Sequence, residues 1–419
     1  MLTRDTAAIA NFYRDGLLND VLPFWLSNGI DEEFGGICTA LDRDGSRLDS
    51  DKSVWQQGRF TWLLAKLYNT VDPGDSDSHS RWLRTAESGA NFLDQHCFDP
   101  SDGRMWFHVT REGRPIRKRR YQFSESFAAI AFAQYSRAAD SDYFRDRALA
   151  CFHTFVGESD VGIKHRPKYE TTRPTRGIGT SMIQIVTAQE LREAIRFEDA
   201  DRWIDAGIRD IATYFVDDEL EVVWESIPSS NESLSSPDSA SDANDARAHF
   251  DCRTLNPGHA IEAAWFIMYE GHVSRREDWV QLGLRMLDWM WSRGWDNAHG
   301  GLLYFTSVDG RPIQEYWHDM KFWWPHNEAI IASLLAWLLT GDKKYADIHE
   351  QVHNWAFEHF ADREFGEWFG YLRRDGSVSN ELKGNLWKGP FHLPRMQLLG
   401  WQWLEGNLSG TVTFPALRQ

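Results

Sequence analysis

The chain has 419 residues, 42% of them hydrophobic and 14% aromatic, and a formal net charge of −17. That length and apolar content allow a large core, and the acidic balance excludes nucleic acid and anionic membranes as partners because like charges repel. The N-terminal stretch MLTRDTAAIANFYRDGLL is amphipathic and charged throughout, so it reads as a helix of the fold and not as a signal peptide, and no apolar run approaches the roughly 18 residues that a membrane span needs.

Along the chain, four stretches share one pattern: DEEFGGICTALDRDGS from Asp31, DPSDGRMWFHVTREGRP from Asp99, DNAHGGLLYFTSVDGRP from Asp296 and DREFGEWFGYLRRDGS from Asp362. Each opens on Asp and Gly, alternates apolar residues and closes on an acidic-Gly or Arg-Gly turn, which predicts a short β-hairpin. Two weaker relatives, near ESDVGIKHRPKYE and DDELEVVWESIP, bring the number to six. Between them VWQQGRFTWLLAKLY, FSESFAAIAFAQYSRAA, IQIVTAQELREAIRF, HAIEAAWFIMYEGH and HNEAIIASLLAWLL carry apolar residues at helical spacing, and a second amphipathic helix follows most of them. Two helices and a hairpin repeated six times predict an all-α (α/α)6 barrel, a six-hairpin toroid, over residues 1–419 as one domain. A linear solenoid is the alternative, and the inward polar residues favour closure. The Ser- and Asp-rich segment Ser226–Ala248 reads as a mobile surface insertion.

Cys38, Cys97, Cys151 and Cys252 lie far apart with no CxxC, which points to reduced thiols in a cytoplasmic protein and to neither a disulfide frame nor a zinc site. The basic run Arg117 to Arg120 reads as a solvated turn.

The chemistry gathers at one station in each unit, the start of an inner helix: Gln57-Gly58-Arg59, Ser124-Glu125-Ser126, Gly179-Thr180-Ser181, His259 with Glu262, His326-Asn327-Glu328, and His392 with Arg395. In a closed toroid these stations ring one mouth and make one pocket. Asn256 and Pro257 are a helix cap and first residue, so His259 falls in the first turn with Glu262 on the same face. The positive helix end predicts that His259 stays neutral. Pro325 is read as opening the helix that carries His326 and Glu328, and Pro394 the helix with Arg395 in its first turn and His392 just outside. The reversed order of Glu and His, with no HxH or HExxH, points away from a metal. No elbow motif supports a Ser or Cys nucleophile. Glu125, Glu262 and Glu328 keep paired-carboxylate glycoside hydrolysis open. Two neutral histidines and an arginine suit removal and return of a proton beside a carbonyl, with Arg holding the enediolate oxygen.

The strings VWQQGRFTW, FSESF, NPGHAIEAAWF, HGGLLYF, KFWWPHNEA, GEWFGYLRRDG and KGPFHLPR, spread over nearly the whole chain, resemble the N-acylglucosamine 2-epimerase family, also called renin-binding proteins. The resemblance implies the (α/α)6 fold, His259 and His392 as the catalytic pair, and substrate contacts from Arg59, Glu262, Glu328 and Arg395, to which Trp55, Trp323 and His326 are added. It also implies no cofactor for the chemistry and ATP as an activator, although no P-loop or GxGxxG is present, and a homodimer is a further expectation. The stretch GTSMIQIVTAQE lacks the extra histidine of related sugar isomerases. Asn385-Leu386-Trp387 and the Ser226–Ala248 insertion depart from the branch. The expected activity is interconversion of N-acetylglucosamine and N-acetylmannosamine at C2. The alternatives are an aldose–ketose isomerase of the mannose/fructose type, an epimerase for a non-acetylated sugar, or a binding protein without catalysis.

Overall fold

The computed structural model describes residues 2, 5–118, 122–157, 174–228, 249–406 and 408. Six inner helices form a ring: α3 (Val54–Thr70), α5 (Phe123–Ala139), α7 (Gly179–Ile195), α9 (Pro257–Val273), α11 (Trp323–Thr340) and α13 (His392–Leu404), each packed on the next. Outside them run α4 (Ser76–His96), α6 (Asp142–Val156), α8 (Ala200–Asp210), α10 (Glu277–Gly294) and α12 (Lys343–His359). The inner helices are apolar nearly all round because both their faces are covered, whereas the outer helices carry an apolar stripe and a wet face. The sixth outer helix is not C-terminal. It is α1 (Thr6–Gly16), which packs on α13 and continues into α2 (Leu22–Asn28).

The hairpins explain why the inner helices begin at one mouth. In each of the four strong repeats the Asp is bridged by its flanks, as in Ile30–Ile37, Phe98–Met105, Trp295–Leu302 and Ala361–Trp368. The turn needs left-handed glycines, such as Gly36 at φ 68° and Gly301 at φ 71°. The short strand before an inner helix then pairs with the hairpin of the following unit. Thus β1 (Lys52–Ser53) pairs with β2 (His108–Val109), and β3 (Thr175–Gly177) pairs with β4 (Ser226–Pro228). Likewise β5 (Thr254–Leu255) pairs with β6 (Thr306–Ser307), and β7 (Lys321–Phe322) with β8 (Tyr371–Leu372).

Buried charge locks the same joints. Asp31 binds Lys52 and Arg111, Asp296 binds Lys321 and Arg374, and Asp362 binds Lys383 and Arg43. In each set the Arg precedes the acidic-Gly turn of the next hairpin. For Asp362 the next hairpin is the first one, so Arg43 joins the two ends of the chain. The Lys383 N–H bond to Leu41 O (2.9 Å) and the Gln402 amide bond to Thr70 Oγ1 (3.3 Å) complete the closure.

Ser226–Pro228, read from sequence as the start of a mobile insertion, are strand instead, because Ile227 is buried and pairs with Arg176. The rest of that insertion, and the weak hairpin from Glu158 with most of its length, lie outside the described residues. Lys118 of the basic run pairs with Asp99 and Asp102, and Arg117 lies on the Phe107 ring, while Arg119 and Arg120 lie outside the described residues. The four cysteines are buried free thiols. No helix among the described residues is long and apolar enough to cross a membrane.

Candidate active site

The helix starts open onto a cavity of about 1090 Å³ lined by Trp55, Arg59, Glu225, His259, Glu262, Trp323, Trp324, His392 and Arg395, among others. Trp324 lies against both histidines, its ring 5.0 Å from that of His259 and 5.7 Å from that of His392. The two imidazoles, from segments far apart in sequence, are therefore no farther apart than the sum of these distances. Gly258 permits this approach. A Cβ there would stand 2.6 Å from the Trp324 ring, closer than any real contact.

His259 is placed by the cap of α9, where Asn256 Oδ1 accepts its backbone N–H at 3.2 Å. Its Nδ1 lies 3.0 Å from the Glu225 carboxylate, which leaves Nε2 for a ligand. Burial by itself would lower the His259 pKa, but the charge and hydrogen bond of Glu225 outweigh it and raise the pKa above 6.5. The direction is opposite to the lowering expected from the helix end alone. A helix terminus is worth about 0.3–1 kcal/mol to a nearby charge, whereas a unit charge at about 4 Å is worth roughly 4 kcal/mol near a protein surface. Glu225 sits in the weak repeat just before the insertion, and nothing in that stretch marks it as a partner of NPGH.

His392 is the first residue of α13, not outside it, and Trp323 likewise begins α11 two residues before Pro325. His392 Nδ1 lies 2.8 Å from Glu328 Oε1. The Arg395 guanidinium donates to Glu262 Oε1 (2.6 Å) and to Glu328 Oε1 (2.7 Å), and Trp265 Nε1 donates to Glu328 Oε2 (2.8 Å). Glu328 is fully buried behind the imidazole and does not line the cavity, which places it to orient His392. Burial, then the Arg395 charge, hold the His392 pKa well below 6.5. With Nδ1–H given to a carboxylate, the bare Nε2 is the nitrogen left for the cavity. Glu262, Glu328 and His392 lie within 4.8 Å of one another, a spacing a metal could use. The Arg395 guanidinium already sits between those two carboxylates and supplies the positive charge there.

Arg59 lines the cavity inside an aromatic cage, 4.2 Å from Phe127, 4.8 Å from Phe391 and 5.6 Å from Trp55. Its Nε has no hydrogen-bond partner among the described residues. Burial pulls its pKa down to about 9, so it is still a cation at neutral pH. Arg395 makes direct ion pairs with two carboxylates, whereas Arg59 makes none among the described residues and feels Glu262 and Glu328 only at longer range.

Not every polar station reaches the pocket. His326 faces away from it: Nε2 accepts the Leu302 N–H (2.8 Å), Nδ1 donates to Phe322 O (2.7 Å), and the ring stacks on Trp355. Burial pushes its pKa down to about 3, and the ring braces a hairpin and does not line the cavity. Glu125 is taken up by Arg104 and the Met105 N–H, which removes one carboxylate from the hydrolase reading. Gln57 ties α3 to Ile37. Sequence reasoning missed Glu225, Trp324, Tyr304, Tyr371 and the half-exposed Trp387 at the rim, all lining residues. Trp324 was readable, one position along from Trp323 in the WWPH string.

Comparison with known proteins gives the family and the fold. A profile of the N-acylglucosamine 2-epimerase (GlcNAc 2-epimerase) family matches residues 35–391. The N-acylglucosamine 2-epimerase of Bos taurus is 32% identical over 415 residues, covering 96% of this chain and 92% of that one. The cellobiose 2-epimerase of Bacillus thermoamylovorans B4167 shares the fold with a TM-score of 0.77 at 20% identity, covering 95% of this chain and 99% of that one. A D-mannose isomerase superposes with a TM-score of 0.76 at 17% identity, over 94% and 98% of the two chains. Fold and pocket thus define a carbohydrate isomerase built on an (α/α)6 barrel. Within that class, the chain belongs to the N-acylglucosamine 2-epimerase family, the sugar 2-epimerases.

Proposed function

We propose that the protein interconverts N-acetylglucosamine and N-acetylmannosamine through the open-chain aldehyde, with His392 and His259 as its two proton-transfer groups. The observation that carries this reading is the pair of imidazoles on Trp324, each with Nδ1 held by a carboxylate and each lining one cavity. In one direction neutral His392 Nε2 takes the C2 proton, electrons move into C1–C2, and the C1 oxygen becomes an enolate. Arg59 stabilises that oxygen, since it lines the cavity and its Nε has no hydrogen-bond partner among the described residues. The imidazolium of His259 then delivers its proton to the opposite face of C2, and the aldehyde re-forms. His392 is left protonated and His259 neutral, the state that serves the reverse direction. Proton transfer of this kind needs no cofactor.

The higher identity to N-acylglucosamine 2-epimerases than to cellobiose 2-epimerases, 32% against 21–24%, supports the acylated substrate. Incubating N-acetylglucosamine with the enzyme in D₂O and following it by NMR tests the reading. N-acetylmannosamine carrying deuterium at C2, with no ketose, is expected. A ketose product from a non-acylated sugar would move the assignment to an aldose–ketose isomerase.

A further inference from the structure

The side of the cavity across from His392 has a different character. In the ring of six, α7 stands three places from α13, so its cavity face looks over the lumen at His392 and Arg395. With the adjoining turn of α5 it presents Ile130, Met182, Ile183 and Val186. Ser126 and Thr187 interrupt this surface, but both protons are taken: Thr187 Oγ1 donates to Ile183 O at 2.6 Å, and Ser126 Oγ donates to Thr187 Oγ1 at 2.8 Å. Beneath them Lys66 closes on Glu190 and Glu193, each at 3.0 Å. Arg59 and the two Nε2 atoms lie on other helices, and the exposed Thr180 is one turn before Ile183 on α7. Beyond Thr180, the stretch formed by Ile130, Met182, Ile183 and Val186 offers a methyl group apolar contact.

We propose that this wall is the subsite for the acyl group of a 2-acylamino sugar, and that Ile183 and Val186 determine the preference for acylated over free sugars. The inference rests on the 2-epimerase reading above. The acetyl methyl is the one apolar end of such a substrate, and the acyl nitrogen is bonded to the carbon that the histidines flank. A hydroxyl driven against the wall would lose its hydrogen bond to water, whereas the methyl leaves water for an apolar surface. The cavity as a whole, at about 1090 Å³, is larger than a monosaccharide requires, and under this proposal a longer acyl chain would lie along this wall.

The test compares kcat/KM for N-acetyl-, N-propanoyl- and N-butanoylmannosamine and for mannose. Wild type should favour N-acetylmannosamine over mannose by at least about tenfold, and should accept the N-propanoyl sugar within about tenfold of the N-acetyl one. Val186→Asn should lower kcat/KM for the N-acetyl sugar by roughly tenfold and leave mannose turnover unchanged or raised, while Val186→Ile keeps the preference. Unchanged selectivity in a folded Val186→Asn protein overturns the inference. If that variant does not fold, the wild-type series decides, and a hundredfold loss on adding one methylene overturns it. Wild type that epimerises mannose and N-acetylmannosamine equally defeats the acyl subsite alone, whereas wild type that epimerises none of these sugars defeats the underlying reading as well.

Discussion

Glu225 holds Nδ1 of His259 at 3.0 Å, and this contact makes the two active-site histidines unlike. His392 also has a carboxylate on Nδ1, but the charge of Glu328 is shared with Arg395, which leaves that imidazole in a site hostile to a proton. Glu225 answers to no such cation among the described residues. Under the proposed mechanism these opposite shifts suit His392 to the base role and His259 to the acid role in one direction.

Glu225→Gln should keep a hydrogen-bond acceptor for Nδ1 and lose the charge. Turnover should drop by about ten- to a hundredfold, as for other carboxylate partners of functional histidines, with an unchanged circular dichroism spectrum. Steady-state kinetics with Glu225→Gln at wild-type rate would show that the contact is idle.

The pH profile follows from the two directions of shift. His392 is neutral above its depressed pKa, so activity should be lost only as the pH falls well below 6.5. His259 keeps its proton up to its raised pKa, so the alkaline limb should lie above 6.5. A plot of log kcat/KM against pH should be a broad bell whose limbs belong to the pair, and Glu225→Gln should move the alkaline limb to lower pH. An alkaline limb that stays fixed in the variant would contradict the assignment.

Arg395→Met should destabilise the fold by about 3–5 kcal/mol, because Glu262 and Glu328 would share a buried site with no cation between them. Denaturant unfolding should show the loss, and Glu328→Gln added to it should recover part. Equal stability in Arg395→Met would mean that the carboxylates are not both ionised.

Arg43→Met removes the contact that seals the ring at Asp362 and should lower the midpoint of denaturant unfolding. Hydrogen exchange should quicken first around α1 and α2, which are held by that seam. Arg111→Met, at the matching Asp31, cuts a joint within the chain and should loosen its own hairpin instead. The same exchange pattern in both variants would deny the seam a special role.

Much of the fold was legible because each repeat states its own rule: an Asp, glycines for the left-handed turn, alternating strand residues and an Arg or Val before the acidic-Gly turn. The polar stations were legible for the same reason, and Asn256 and Pro257 fixed the start of α9 correctly. Two things were hidden. The sixth hairpin is assembled from both ends of the chain, and no local pattern in Thr6–Gly16 says that it pairs with His392–Leu404. Side-chain direction was also hidden: His259 and His326 both open helices at equivalent stations, yet one meets the cavity and the other is fully buried against Trp355. Helical spacing placed His326 correctly along the chain and left open which way its ring turns.

The central claim is that the two imidazoles work on opposite faces of one carbon, and deuterium exchange at C2 in single-histidine variants tests it most directly. In D₂O, His259→Asn and His392→Asn should each wash out the C2 hydrogen of one epimer only, a different epimer in each case, while interconversion stops in both. Interconversion at near wild-type rate in either variant, or exchange of both epimers by a single remaining histidine, would contradict the account.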